Sequence, residues 1–169
     1  MIVVPELTLL PIDAPLLAVP TLPFNFDDPP HDPKKLKEAM ELLMYRIEGA
    51  GLSANQVGIP YSVFVIGTLE QSRACFNPRI LGVSKDTCLF KEGCLSLPGI
   101  WLSISRPTEV KVEFQDENGM SHALQLGGAA SRVFQHEFDH MMGKNFTQRA
   151  SPLKLKRALA ALRKKNGNL

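Results

Sequence analysis

The stretch Gln135-His136-Glu137-Phe138-Asp139-His140 decides how the rest of this chain is read. The surrounding periodicity predicts a helix from about Ala129 to Met142, and residues four apart on a helix stand one turn above another on the same face. His136 and His140 would then offer two imidazole nitrogens to one divalent metal. Glu137, next to the first of them, would reach a water on that metal as a general base. Two chance histidines on an amphipathic helix would have no need of the Glu, so the stretch points to metal chemistry.

A catalytic metal takes three protein ligands and keeps one position open. No His, Cys, Asp or Glu follows His140, so the third ligand must come from upstream. The candidates are Cys75, Cys88, Cys94, His31, His122 and several carboxylates. Cys94 stands out within Glu92-Gly93-Cys94-Leu95-Ser96-Leu97-Pro98-Gly99, where two glycines and a proline predict an irregular turn. Backbone N–H groups exposed in such a turn can donate to an oxyanion. Cys75 and Cys88 have apolar neighbours and read as core thiols. Spacing alone leaves the third ligand open.

A third element is Gly49-Ala50-Gly51-Leu52-Ser53-Ala54-Asn55-Gln56-Val57-Gly58. Its simpler reading is a helix stop. Small residues there also let another chain approach closely, and the Gln56 amide is a candidate oxyanion donor.

Outward from these stretches, 169 residues with 44% hydrophobic content suit one domain, taken as 1–169, and exclude general disorder. A formal charge of +2 is too small to imply nucleic acid or membrane by itself, and three cysteines suggest reduced thiols. No apolar run approaches the roughly 20 residues that span a bilayer. The first 20 residues hold four prolines and no Lys or Arg, unlike a secretion signal or transit peptide, so a cytoplasmic address is expected. The charge is uneven: residues 1–32 carry five acids and no Lys or Arg, whereas eight cations and no acid follow Met141.

Asp32 and Pro33 predict the cap and first residue of a helix running to about Glu48, with Leu36, Met40, Leu43 and Ile47 as its buried stripe. Tyr61–Ile66 reads as a buried strand. Thr108–Gln115 and Ala123–Leu126 read as a hairpin about Asn118-Gly119. Ser151-Pro152 opens a last, basic helix to about Lys165, with Gly167 as its stop. The fold class is α+β: antiparallel sheets around a central metal-binding helix, with one helix before it and one after.

Together and in this order, GAGLSANQ at 49–56, EGCLS at 92–96 and HEFDH at 136–140 resemble the peptide deformylase family over about residues 34–155. That resemblance implies removal of the formyl group from N-terminal formyl-methionine. It implies Cys94, His136 and His140 as metal ligands, with one divalent ion per chain, typically Fe2+ and exchangeable for Ni2+, Co2+ or Zn2+. Glu137 would be the general base, and the Gln56 side chain and Leu95 backbone N–H the oxyanion donors. The formyl-methionyl peptide would lie extended near Ala50, Gly51, Leu97 and Gly99, with Ala129 and Val133 walling the methionine slot.

Three positions depart from the family's pattern. Ser53 replaces the usual Ala, a small change expected to be tolerated. Ala50 replaces a larger aliphatic residue and could widen the substrate site. Arg132 sits one turn before His136 where the family is apolar, and reads either as a substrate-carboxylate contact or as a side chain reaching solvent. The basic last helix admits a docked structural element or a ribosome contact. Two further readings are a His-Glu-x-x-His metallopeptidase and a metal-stabilised RNA-binding module.

Overall fold

The computed structural model describes residues 7–68 and 71–166. Among them are three α-helices: α1 (Pro33–Arg46), α2 (Gly128–Met141) and α3 (Pro152–Asn166). The strands are β1 (Gly51–Ser53), β2 (Val63–Gly67), β3 (Ser72–Val83), β4 (Thr87–Cys94), β5 (Leu97–Pro107), β6 (Glu109–Gln115) and β7 (Ser121–Gly127). One antiparallel sheet runs β1-β2-β3-β6-β7, and β4 and β5 form a separate antiparallel pair. This is the expected α+β arrangement, with α2 between the two sheets.

The larger sheet divides two apolar layers. Along β2, Val63 and Val65 join Leu36, Met40 and Met44 of α1, while Phe64 and Ile66 join Phe134 and Met141 of α2. In β3, Ala74 and Phe76 face α1 and Cys75 faces α2. A strand covered on both faces alternates between two cores rather than between core and water, which is why 61–66 reads as one unbroken apolar run. In β6 only one face is covered: Val110, Val112 and Phe114 are buried, and Glu109 and Lys111 are exposed.

The predicted cap of α1 holds. Asp32 Oδ1 accepts from the backbone N–H groups of Lys34 (3.0 Å) and Lys35 (3.2 Å), with Pro33 in the first turn. α1 stops at Arg46, two residues short of the expected end, because Glu48 turns the chain at φ +55° into β1. Met44 is fully buried, whereas Leu43 and Ile47 are only partly so. The Asn118-Gly119 hairpin is real but wider than two residues: Gln115 and Ser121 are its last pair, and Asp116 Oδ1 receives the N–H groups of Asn118 and Met120.

The expected irregular turn at 92–99 is instead the tip of a hairpin. Leu95-Ser96 makes the turn, Cys94 pairs with Leu97, and the register breaks at Gly93 so that residues 98–101 bulge opposite it. Leu155, Leu159 and Leu162 of α3 dock on Ile100, Leu102 and Ile104 of β5 and on Phe146. Gly167 lies outside the described residues. No helix among the described residues is long and apolar enough to cross a membrane.

Candidate active site

α2 packs its polar side against the β4–β5 hairpin and against β1. Cys94, at the end of β4, places Sγ 3.4 Å from His140 Nε2. One donor atom from each of Cys94, His136 and His140 lies within 4.8 Å of the others, and no other group of three or more such residues is found among the described ones. The remaining sequence candidates are elsewhere. Cys75 is buried in the sheet, where burial raises its thiol well above the ordinary range. Cys88 is exposed on β4, against the expectation of a core thiol. His31 stands against Tyr61, and His122 pairs with Asp116.

The surroundings of the two histidines set which nitrogens they could offer to a metal. His136 Nδ1 lies 3.0 Å from Glu92 Oε2. Burial opposes ionisation of Glu92, but the Arg106 guanidinium and then His136 hold its carboxyl down at about 2. An ionised carboxylate only accepts, so Nδ1 carries a proton and Nε2 is the nitrogen left to face the cluster, where a bound ion would take the place of its proton. Burial, helped by the charge on His136, pushes His140 down to about 3, so its imidazole is neutral. His136 is held up at about 10 against burial by Cys94, Glu92 and Glu137. The site thus favours a positive charge between Cys94 and His136, and a thiolate with two imidazoles suits a transition ion.

A charge network absent from the sequence reading lies beneath. Arg106 is 1% exposed and donates to both Glu92 oxygens, from Nε (2.6 Å) and Nη2 (2.8 Å), and from Nη1 to Asp139 Oδ2 (2.9 Å). Arg149 adds a second bidentate pair to Asp139. Arg132 is neither in open solvent nor free in the cleft: Nη1 donates to Glu92 and to the Ile104 carbonyl, Nη2 to the Cys88 carbonyl, and its guanidinium lies over Phe90. Glu92 and Asp139 stand inside the quoted motifs, so their presence was visible; nothing in Ile104-Ser105-Arg106-Pro107 marks Arg106 as buried.

Glu137 is 4% exposed, and burial raises its carboxyl above the usual range. Its Oε2 accepts from Ser53 Oγ at 2.6 Å. Gln56 follows β1 in a 3₁₀ turn (Ala54–Val57), with Oε1 accepting from Ser53 N (2.9 Å) and Nε2 donating to Ser96 Oγ (3.1 Å) and toward Cys94 Sγ (3.4 Å).

These groups open on a cleft of about 940 Å³. Ala50 and Gly51 line one side and Leu95, Leu97 and Gly99 another. Ala129, Arg132 and Val133 supply the α2 wall. Phe90 and Trp101 also line it while 62% and 65% exposed, aromatic groups that the sequence reading passed over. The glycines turn out to serve the protein's own packing. A Cβ on Gly51 would stand 2.5 Å from Glu137 Oε1, and one on Gly99 3.0 Å from Leu162.

The family model of polypeptide deformylase matches residues 7–156. The chain is 44% identical over 130 residues to a peptide deformylase of Thermotoga sp. (strain RQ2), covering 77% of each. It is 36% identical over 153 residues to the chloroplastic peptide deformylase 1B of Oryza sativa subsp. japonica, covering 87% of this chain and 56% of that one. The crystal structure of peptide deformylase from Thermotoga maritima matches with a TM-score of 0.82 at 37% identity, over 87% of this chain and 99% of that one. A peptide deformylase from Synechococcus elongatus in complex with actinonin matches with a TM-score of 0.86 at 32% identity, over 95% and 92%. A buried His-Glu-x-x-His helix facing a hairpin cysteine, in a fold these proteins share, places the chain in the polypeptide deformylase family, hydrolases that remove the formyl group from nascent peptides.

Proposed function

We propose that Cys94, His136 and His140 hold one divalent ion, Fe2+ in the cell and replaceable by Ni2+, Co2+ or Zn2+, and that Glu137 is the general base of deformylation. The observation that carries this reading is the cluster of three donor atoms within 4.8 Å beside a buried glutamate. When bound, the ion supplies Lewis acidity, which brings a water's pKa toward neutrality and polarises a carbonyl. Glu137 takes a proton at its carboxylate and returns it to the departing amine. Burial that raises its carboxyl brings it closer to the working range of such a base. Gln56 Nε2 and the Leu95 backbone N–H donate to the oxyanion developing on the formyl oxygen.

The formyl-methionyl peptide lies extended between Ala50-Gly51 and Leu97–Gly99, with its methionine against Ala129 and Val133. Arg132 anchors the cleft wall to the hairpin rather than binding a substrate carboxylate, since both of its Nη atoms are already engaged. Residues 1–169 act as one catalytic domain, working in the cytoplasm. The exposed face of α3, with Lys154, Lys156, Arg157, Arg163, Lys164 and Lys165, meets ribosomal RNA where the substrate emerges. Truncation at Ser151 should then weaken co-sedimentation with ribosomes, and unchanged co-sedimentation would remove that contact.

The deciding experiment is formate release from formyl-Met-Ala-Ser by anaerobic Fe2+- or Ni2+-loaded protein, beside Glu137→Ala. Turnover by the parent and a loss of several orders of magnitude in the variant are expected. An active Glu137→Ala would overturn the assignment of the base, and cleavage of the unformylated peptide would favour a metallopeptidase.

A further inference from the structure

β1 is three residues long and buried throughout, and its first and third residues share one face. That face meets Glu137. At position 51 the chain offers no side chain: a Cβ there would lie 2.5 Å from Glu137 Oε1 and 2.8 Å from its Cγ, so the carboxylate rests on bare backbone. At position 53 it offers a hydroxyl, which donates to Glu137 Oε2 over 2.6 Å. The two devices act on opposite oxygens of one carboxylate, and between them they fix its rotation about the last side-chain bond.

The same residue orients the other side of the site. Ser53 N–H donates to Gln56 Oε1 at 2.9 Å, which leaves the Nε2 end of the amide for Ser96 Oγ and Cys94 Sγ. A reversed amide would set two donors against each other. Ser53 is 0% exposed and does not line the cleft, so it reaches no substrate. Its hydroxyl also lies 3.3 Å from the backbone carbonyl of Glu137, a longer contact than the one to the carboxylate. The shortest contact is thus with a carboxylate on another element, 84 residues along the chain.

We propose that Ser53 is a positioning residue for Glu137, and through its backbone for Gln56, so that one short strand orients both the general base and one of the oxyanion donors. The proposal rests on the reading of Glu137 as general base. It also revises the expectation that the serine is a neutral replacement for alanine. An alanine there would leave the fold and the metal ligands intact while freeing Glu137 to rotate.

The test is Ser53→Ala in the Ni2+-loaded full chain, with kcat and KM measured separately for formyl-Met-Ala-Ser. Loss of a hydrogen bond to a charged group predicts a fall in kcat of about tenfold. KM should stay within about twofold, with metal content unchanged. On a Glu137→Asp background, whose shortened carboxylate is out of the hydroxyl's reach, Ser53→Ala should add nothing. A crystal structure of Ser53→Ala should show the Glu137 carboxylate rotated or in two orientations. An unchanged kcat with a single unchanged carboxylate orientation would overturn the proposal, as would a fall in kcat accompanied by metal loss or by the same fall on the Asp background. Glu137→Ala separates the two readings: if it is inactive while Ser53→Ala is fully active, only the role of Ser53 fails, and if it is active the general base itself is lost.

Discussion

The two sheets of this molecule are packed on opposite terms. Between α1 and α2 the five-stranded sheet buries Val63, Phe64, Val65, Ala74, Cys75 and Phe76, and its ion pairs, Lys37 with Glu117 and Arg79 with Glu113, lie at the surface. Between α2 and the β4–β5 hairpin the molecule buries Glu92, Arg106 and Asp139 instead. The apolar side is held by area removed from water, worth about 1.5–3 kcal/mol for each large side chain, and tolerates small shifts. The charged side is held by directional bonds whose partners are each indispensable once water is gone. The first arrangement makes a platform and the second orients ligands.

The sharpest way to break that contrast is Arg106→Ala. It leaves Glu92 and Asp139 buried without their shared partner, and removing one member of such a pair costs about 3–5 kcal/mol. Because Glu92 also holds His136 Nδ1, the loss should spread to the site. Melting should drop steeply, and the metal should pass to a chelator at least tenfold faster, the scale on which residues that orient metal ligands act. A variant that melts early but keeps its metal would show that the network supports only the fold.

Met40→Ala probes the other side. Met40 is fully buried between α1 and the sheet, so the cavity and lost contacts should cost about 2–5 kcal/mol. Yet kcat measured well below the melting point should stay near the parent value, because Cys94, His136, His140, Glu137 and Gln56 all lie outside this layer and Leu95 meets it as a packed hydrophobic residue. A parallel fall in kcat would erase the distinction between platform and site.

The same contrast explains what the sequence disclosed. Helix α1 was legible because a cap, a first-turn proline and a 3.6-residue stripe all agree, and β2 because its apolar run is unbroken. His136, Glu137 and His140 were legible as a group because a helix places i and i+4 together whatever surrounds it, whereas Cys94 comes from a strand and spacing alone leaves it open. β3 was missed, and its sequence is interrupted by Asn77-Pro78. There Asn77 adopts φ +48° and its side-chain amide bonds to both backbone groups of Phe24, so the strand continues past the irregularity. β4 and β5 were missed for a different reason. β5 buries Ile100, Leu102 and Ile104 in ordinary alternation but puts Arg106 at the next inward position, and on β4 Phe90 and Glu92 share that face with only Glu92 buried, so apolar and charged residues are mixed on one face. Ser53 was seen and undervalued, since its partner lies on an element that no local pattern connects to it.

Arg149→Ala refines the charged side by degree. Arg149 makes a bidentate pair with Asp139, as Arg106 does with Glu92, but its own side chain is 46% exposed. Water can replace part of what it supplies to Asp139, and Arg106 Nη1 remains in place. The loss should therefore be about 1–2 kcal/mol, with slower metal release than in Arg106→Ala. A cost equal to that of Arg106→Ala would mean that Asp139, rather than Glu92, is the centre of the network.

Lys37→Ala should have the smallest effect and sets the baseline for the rest. Lys37 Nζ meets Glu117 at 2.7 Å, joining α1 to the β6–β7 loop, with side chains 24% and 23% exposed. The contact is nearly as short as that of Arg106 with Glu92 at 2.6 Å, so distance alone would rank the two almost alike. What differs is the solvent. Charges that keep part of their hydration gain little from pairing and lose side-chain freedom in doing so, which leaves a net of about 0–1 kcal/mol. The burial that accompanies the pair opposes the charge on Lys37 while Glu117 favours it, and the second effect prevails. Melting of Lys37→Ala against the parent at low and at 0.5 M salt checks this: any small difference should shrink with salt, since exposed charges are screened. A salt-insensitive loss comparable to that of Arg106→Ala would show that the short contact, not its burial, gives the network beneath the metal site its strength.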